Sequence, residues 1–217
     1  MKVLVACEYS GIVRDAFIKH GHDAISCDLL DTESPGPHYM GDVFDIINNG
    51  FDLMIAHPPC THLAVSGAPH FDLKRKDGRQ QQALDFVLRL MNANIERICI
   101  ENPVSVISTY IKPYDQLINP YEFGDPVEKA TCLWLKNLLP LMPTDLVKPE
   151  ERFYWIDKKT GKQKSVPGWH YKTLRDLPGA ENTKARSKAR SKFFPGIANA
   201  MAKQWGNSTY KQFEFNF

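Results

Sequence analysis

Short apolar runs recur along the chain, each ending on a polar or turn-forming residue. The first covers residues 3–7 (Val3-Leu4-Val5-Ala6-Cys7), and residues 23–27 form a second that ends at Asp28. Residues 38–43 are a short third run or loop ending in Gly41-Asp42; residues 51–56 and 97–100 supply a fourth and a fifth. Runs this short and rich in β-branched residues predict strands of a buried parallel sheet. Between the first two, a turn containing Gly11 leads into a helix over about residues 13–21, with Val13, Ala16 and Phe17 at helical spacing. Residues 80–92 place Ala83, Phe86, Val87 and Leu90 on one helical face before the fifth run. Strands alternating with helices predict an α/β fold with a doubly wound, mostly parallel sheet. Residues 128–136 add a further strand carrying Thr131, Cys132, Leu133 and Trp134. Residues 194–204 read as a closing helix (Ile197, Ala198, Met201 and Ala202, with Trp205 beyond). The stretch from 138 to 192 is rich in Pro, Gly and charge and has no regular period. The expected organisation is one domain from residues 1–137 and 193–217, with a small basic lobe at 138–192. There is no internal repeat.

Composition changes this picture in three places. At 217 residues, with 43% hydrophobic and 24% charged positions, the chain is of ordinary globular make-up. No run approaches the roughly 18–20 apolar residues of a membrane span, and Glu8 with the Arg14/Asp15 pair cuts the N-terminal run too early for a signal peptide. Five cysteines (Cys7, Cys27, Cys60, Cys99, Cys132), an odd number and mostly inside apolar runs, suit free thiols and a cytoplasmic location. The net charge of +2 conceals a strong asymmetry. Residues 1–147 hold 12 Lys/Arg against 19 Asp/Glu, whereas residues 148–203 hold 14 against 5. The densest part is the run from Lys184 to Lys192, which includes Arg186, Lys188 and Arg190; Phe153, Tyr154, Trp155, Trp169 and Tyr171 lie upstream of it. Cations interleaved with aromatics favour a phosphate backbone and unstacked bases; the alternative is a solvated basic loop.

The candidate chemistry sits at strand ends, which in a parallel sheet share one edge where ligands bind. Pro58-Pro59-Cys60 follows the fourth run, and Glu101-Asn102-Pro103 follows the fifth. A thiol and a carboxyl there would supply a nucleophile and a proton handler. The first turn, Cys7-Glu8-Tyr9-Ser10-Gly11, is a candidate nucleoside-binding turn with a single glycine. Asp28 lies where a carboxylate can accept from ribose hydroxyls, and Asp42 where one can accept from an adenine amino group. Taken alone, either reads first as a helix cap or a solvated loop acid, and it is the ordered set of strand-end features that favours the binding reading. His57 and His62 flank Cys60, but no second Cys or His pair completes the four ligands of a structural zinc, and no metal is expected.

Taken in order, these segments resemble the S-adenosylmethionine-dependent DNA (cytosine-5) methyltransferases, in a compact form with a reduced target-recognition region. Residues Val5 to Arg14 are similar to the cofactor-binding motif, Asp28 and Gly41-Asp42 to the second and third motifs, and Pro58-Pro59-Cys60 to the catalytic Pro-Cys loop. Glu101-Asn102-Pro103 resembles the Glu-Asn-Val motif. Phe123 to Thr131 resembles the Tyr-Gly-x-Pro-Gln-x-Arg-x-Arg segment, and Pro195 to Ala202 the closing Gly-Asn-Ala-Val segment. The resemblance implies a class I methyltransferase (Rossmann-like) fold. It also implies S-adenosyl-L-methionine as cofactor, held by Cys7, Glu8, Tyr9, Ser10, Gly11, Asp28, Asp42, Pro58, Asn199 and Ala200. Cys60, Glu101 and Lys129 become catalytic, and Arg186, Lys188, Arg190 and Lys192 contact DNA that is either duplex with a flipped base or single-stranded. A Cys60 thiolate would add to C6 of cytosine while Glu101 holds the N3/N4 edge, activating C5 toward a methyl group. A thiol of ordinary pKa resists ionising near neutral pH, so a helix N-terminus near Cys60 would help. The chain departs from the family at Val127, Lys129 and Thr131, where the Gln and two Arg stand; Lys129 alone, or Arg186 or Arg190 from elsewhere, would supply the missing grip. Two alternatives stay open: a catalytically silent relative that binds nucleic acid or a host protein as a decoy or regulator, and the same chemistry on RNA or a free pyrimidine nucleotide. An amino-methyltransferase carries an aromatic where this chain has Cys60.

Overall fold

A computed structural model describes residues 1–179, 181 and 183–206. Residues 207–217, part of the expected catalytic domain, lie outside the described residues. The elements run β1 (Lys2–Ala6), α1 (Ile12–Lys19), β2 (Asp23–Asp28), β3 (His38–Met40), α2 (Val43–Ile46) and β4 (Leu53–Ala56). A 3-10 turn (Val65–His70), α3 (Phe71–Lys76), α4 (Arg79–Met91), β5 (Arg97–Pro103), α5 (Ile107–Tyr110) and β6 (Gln116–Ile118) follow. After a second 3-10 turn (Pro120–Glu122) come β7 (Thr131–Lys136), β8 (Phe153–Ile156), β9 (Gln163–Val166), α6 (Gly168–Asp176), α7 (Thr183–Ser191) and α8 (Pro195–Gly206).

Seven strands form one sheet in the order β3-β2-β1-β4-β5-β7-β6. β1 to β5 are mutually parallel, and β7 runs antiparallel to both β5 and β6. The sheet has the Rossmann-like arrangement of a class I methyltransferase, as the sequence predicts. Alternation along each strand feeds two cores. On β1, Leu4 and Ala6 join Met54, Ile98 and Ile100 under α2, α4 and α5. Val3 and Val5 join Leu53, Ile55 and Cys99 under α1 and α8. Every side chain named in the two cores is at most a few per cent exposed, the continuous hydrophobicity expected of strands covered on both faces.

Three differences from the predicted elements bear on function. β5 continues past Ile100 through Glu101 and Asn102 to Pro103, because β7 pairs with it residue for residue there, Glu101 opposite Leu133 and Asn102 opposite Cys132. β6 is an added edge strand. The stretch from 138 to 192 is more ordered than its composition suggests: β8 and β9 form an antiparallel hairpin, and α6 and α7 follow it. Asp157 holds the hairpin turn by accepting from the backbone N–H of Lys159 (3.0 Å) and Thr160 (2.9 Å). Among the described residues, no helix is long and apolar enough to cross a membrane.

Candidate active site

The loop leaving β4 is fastened before its chemistry begins. The backbone N–H of His57 donates to Ala6 O (2.9 Å), extending the β1–β4 ladder by one residue. Buried Asn102, next to Glu101 on β5, donates from Nδ2 to Pro58 O at 2.8 Å. Leu63 and Ala64 donate back to Cys60 O, and Val106 N–H donates to Leu63 O. Cys60 is therefore presented at the carboxyl rim of the sheet with its backbone fixed on both sides. It starts a single turn rather than a helix, so the expected help from a helix N-terminus is absent.

Charge around the Cys60 thiol is divided. Burial, and then the Glu101 carboxylate, push its pKa up from the ordinary thiol range; Lys129 and Arg190 pull the other way, as does a hydrogen bond to the backbone. The same geometry acts on Lys129, whose ammonium is pushed down chiefly by desolvation while Glu101 and Cys60 oppose the shift. Cys60, Glu101 and Lys129, the three residues expected to be catalytic, thus stand within electrostatic reach of one another. Arg190 joins them from α7. Thr131, at the position of the family's second arginine, is buried in β7 with its hydroxyl donating to Lys129 O (3.0 Å).

Glu101 has a neighbour the sequence reading did not assign to it. His57 Nδ1 lies 3.0 Å from Glu101 Oε2, with both side chains close to nine-tenths buried. The pairing follows from sheet parity: Ala56 and Ile100 are in register on β4 and β5, and the next residue of each points to the opposite face.

A cleft of about 350 Å³ opens beside this cluster, on the face covered by α2 and α4. Cys7, Asp28 and Asp42 line it, as expected, together with Leu29, Pro59, His62 and Phe86. Asp28 Oδ1 accepts from Leu30 N–H (2.9 Å) and Asp42 Oδ1 caps α2 through Phe44 N–H (3.0 Å), so each carboxylate is oriented by its own loop and keeps its second oxygen. His62 Nδ1 is buried with no partner among the described residues, and burial depresses the pKa of its imidazole. Two oriented carboxylates on an apolar-walled cleft, with an orphaned ring nitrogen in its lining, fit a nucleoside offering hydroxyl and amino donors.

Other expected cofactor residues are placed differently. Buried Glu8 turns inward, where its carboxylate accepts from Val13 N–H (2.7 Å), Arg14 N–H (3.2 Å) and Ser10 Oγ (3.1 Å) and so caps α1. Gly11, at φ 75°, lies against the Arg14 guanidinium, where an added Cβ would meet Nη2 at 2.5 Å. Arg14 is fully buried. It donates to Ser26 Oγ, Thr32 Oγ1 and Ser34 O, and so fastens the loop that follows Asp28. Tyr9 faces α7, its hydroxyl 3.0 Å from Ser191 Oγ. Pro58 is buried beneath the Cys60 loop; Asn199 is exposed on α8, and Ala200 is buried in the core under that helix.

The basic helix α7 is attached to the sheet edge. Lys188 pairs with Glu33 at 2.6 Å and sits over the Tyr9 ring, while Lys192 stands 4.0 Å from Glu33. Lys129 Nζ donates to Arg190 O at 2.9 Å, holding the C-terminal end of the helix. Arg186 donates to Leu177 O and Gly179 O and so ties α7 to the end of α6. Of the two arginines expected to stand in for the family's pair, Arg190 acts on the thiol only through its charge and Arg186 ties the lobe together. On the hairpin, Phe153 stacks on Tyr171 of α6 (centroids 3.8 Å apart, planes 7° apart), with Trp155 beyond it at 6.3 Å. Tyr154 and Ile156 are 57% and 61% exposed.

No family model matches the chain, and neither does any curated protein. Among solved structures, it is similar to a prophage-encoded E. coli protein described as a DNA modification methyltransferase, with a TM-score of 0.47 and 16% identity over 87% of this chain and 69% of that one. It is also similar to the methyltransferase EhMeth of Entamoeba histolytica, with a TM-score of 0.45 and 14% identity over 71% of this chain and 58% of the other. Likeness of this degree assigns no activity, which has to be argued from the site.

Proposed function

We propose that this chain is an S-adenosyl-L-methionine-dependent methyltransferase that modifies C5 of cytosine in DNA through a covalent Cys60–C6 adduct. The observation that carries the reading is the convergence of the Cys60 thiol with Glu101, Lys129 and Arg190 at the sheet rim, beside a cleft lined by Asp28 and Asp42. In the cleft, Asp28 would accept from ribose hydroxyls and Asp42 from the adenine amino group, with Leu29 and Phe86 against the ring. Bound there, S-adenosylmethionine supplies an electrophilic methyl group.

The chain's own residues do the rest. Lys129 and Arg190 offset the charge of the Cys60 thiolate, which attacks C6 of the base. Glu101 holds the N3/N4 edge and balances the charge that develops there. That makes C5 the nucleophile that would take the methyl group, leaving S-adenosylhomocysteine; loss of the C5 proton then expels Cys60. A base inside a duplex hides C6, so the target must be flipped out or unpaired. The lobe at 138–192 is proposed to hold the strand, through the Tyr171–Phe153–Trp155 stack and the exposed faces of Arg190 and Lys192.

One observation favours a second reading, a catalytically silent nucleic-acid-binding relative: burial and Glu101 hold the thiol toward its protonated form. The test separates the two. Labelled S-adenosylmethionine is offered with duplex DNA, single-stranded DNA, RNA or dCMP, to wild type and to Cys60→Ser, alongside DNA containing 5-fluorocytosine. The proposal expects label in DNA, none with Cys60→Ser, and a stable adduct on the fluorinated base. Transfer that survives Cys60→Ser overturns the mechanism; nucleic-acid binding with no transfer supports the silent relative.

A further inference from the structure

His57 stands at the centre of the site, yet the chemistry proposed above gives it no part. Its side chain is fixed on two sides: Nδ1 lies 3.0 Å from Glu101 Oε2, and the ring packs at 4.7 Å from that of Phe193. Its backbone is held by the N–H bond to Ala6 O. Its other ring nitrogen, Nε2, is buried and has no partner among the described residues. A histidine kept only for packing or folding would satisfy both nitrogens, since an unpaired buried polar atom is costly. Here one nitrogen meets the carboxyl group proposed to contact the base, and the other has no partner among the described residues.

A glutamate at a strand end has three rotatable bonds and does not hold its carboxyl group still. In the tautomer that carries its proton on Nδ1, Oε2 accepts from the imidazole, rotation about the last of them is stopped and Oε1 is presented in one direction. Asn102, the next residue, carries a side-chain nitrogen but spends it on Pro58 O, so it cannot do this for Glu101. Resting on the cytosine-5 reading, we infer that His57 is the positioning residue of Glu101, orienting the carboxyl group against the N3/N4 edge of the target base. Holding a reacting group in one geometry acts on the chemical step and leaves substrate affinity nearly untouched.

The experiment is a double-mutant cycle on single-turnover methyl transfer to cytosine DNA at saturating cofactor. It uses wild type, His57→Ala, His57→Asn, Glu101→Gln and His57→Ala/Glu101→Gln, with the thermal unfolding midpoint of each recorded. His57→Ala should lower the rate about 10- to 100-fold while KM for DNA moves by under about threefold. His57→Asn, whose amide nitrogen can occupy the place of Nδ1, should recover most of that loss and also guards against a misfolded alanine variant. In the Glu101→Gln background, His57→Ala should cost under about threefold, because the two side chains act as one unit. Equal losses in both backgrounds, or an asparagine variant that folds normally but does no better than alanine, overturn the inference alone. Absence of any Cys60-dependent transfer by wild type overturns the cytosine-5 reading and this inference with it.

Discussion

Replacing Arg14 with lysine tests whether the loop after β2 is held from below. The guanidinium has no exposed surface and reaches outward along a fork. Nη1 donates to Ser26 Oγ (3.1 Å) and Thr32 Oγ1 (3.2 Å); Nη2 donates to Ser34 O (2.9 Å) and Pro35 O (3.4 Å); Nε donates to Asp15 Oδ1 (2.8 Å). A lysine keeps the charge and most of the stem, but its three donors radiate from one atom that stops short of the loop carbonyls. At least the Ser34 and Pro35 bonds are lost. Charge-assisted bonds contribute about 1.5–3 kcal/mol each, so two cost about 3 kcal/mol at the low end, which applies because water can reach the vacated loop. For a domain of this size that is a fall in Tm of about 6–12 °C. The same loop begins at Asp28 and Leu29, which line the cleft, so on the proposed function affinity for S-adenosylmethionine should fall about tenfold, equivalent to 1.4 kcal/mol. Thermal unfolding without ligand and calorimetric titration of the cofactor measure the two effects. A Tm within about 2 °C of wild type would refute the structural claim. A large loss of stability with unchanged cofactor affinity would refute the link from loop to cleft.

Two further predictions concern the thiols. Lys129→Met removes a cation that opposes burial at Cys60, so the pH midpoint for alkylation of Cys60 by iodoacetamide, read on its peptide by mass spectrometry, should move up. Glu101→Gln should move it down, and no movement in either variant would contradict the charge balance described. Cys27 and Cys132 are both pushed up to about 11, chiefly by burial. In the unfolded chain a thiol loses its proton from about pH 8.5, while the folded chain keeps it until about 11, so unfolding becomes easier across that window and no more so above it. Each thiol should contribute roughly 2–3 kcal/mol to this loss. The Tm difference between wild type and Cys27→Ala or Cys132→Ala, followed from pH 8 to 11, should shrink as pH rises; a constant difference would contradict it.

What the sequence reveals here depends on how local the cause is. Four of the parallel strands, β1, β2, β4 and β5, are legible because each carries an apolar run buried in the sheet. In contrast, β3 is three residues at the edge (His38–Met40), half-buried to exposed, and is marked only by the Gly41-Asp42 that follows it. β6 is not legible, since only Leu117 and Ile118 mark it and its pairing comes from β7. The polar end of β5 is hidden for the same reason: Glu101 and Asn102 are in a strand because a partner strand arrives from residues 131–136. The β8–β9 hairpin had its signals, an aromatic run followed by a turn with Asp157 and Gly161, but the surrounding lysines made the segment read as irregular. Nothing local in the sequence marks Arg14 for burial; the loop at 32–37 folds over it and takes its guanidinium hydrogen bonds. Cys7, Asp28 and Asp42 were legible because strand ends share an edge, whereas the inward turn of Glu8 was set by the unpaired N–H groups at the start of α1.

Alternation also explains how one short loop serves two sites. Ala56 and Ile100 belong to the core under α2 and α4, so the next residues, His57 and Glu101, emerge on the face covered by α1 and α8. The chain then doubles back: Pro59 and His62 line the cleft on the α4 face, and Cys60 lies between the two. A cofactor lodged in the cleft and a base held by Glu101 would therefore approach the rim from opposite faces of the sheet and meet at the end of β4. On the proposed function, donor and acceptor would meet along residues 57–62, whose path the Asn102–Pro58 and Leu63–Cys60 hydrogen bonds hold. On this reading the single turn after Cys60 costs the thiol the field of a helix N-terminus, and the geometry accepts that cost. The cations Lys129 and Arg190 are brought in from β7's approach and α7 instead.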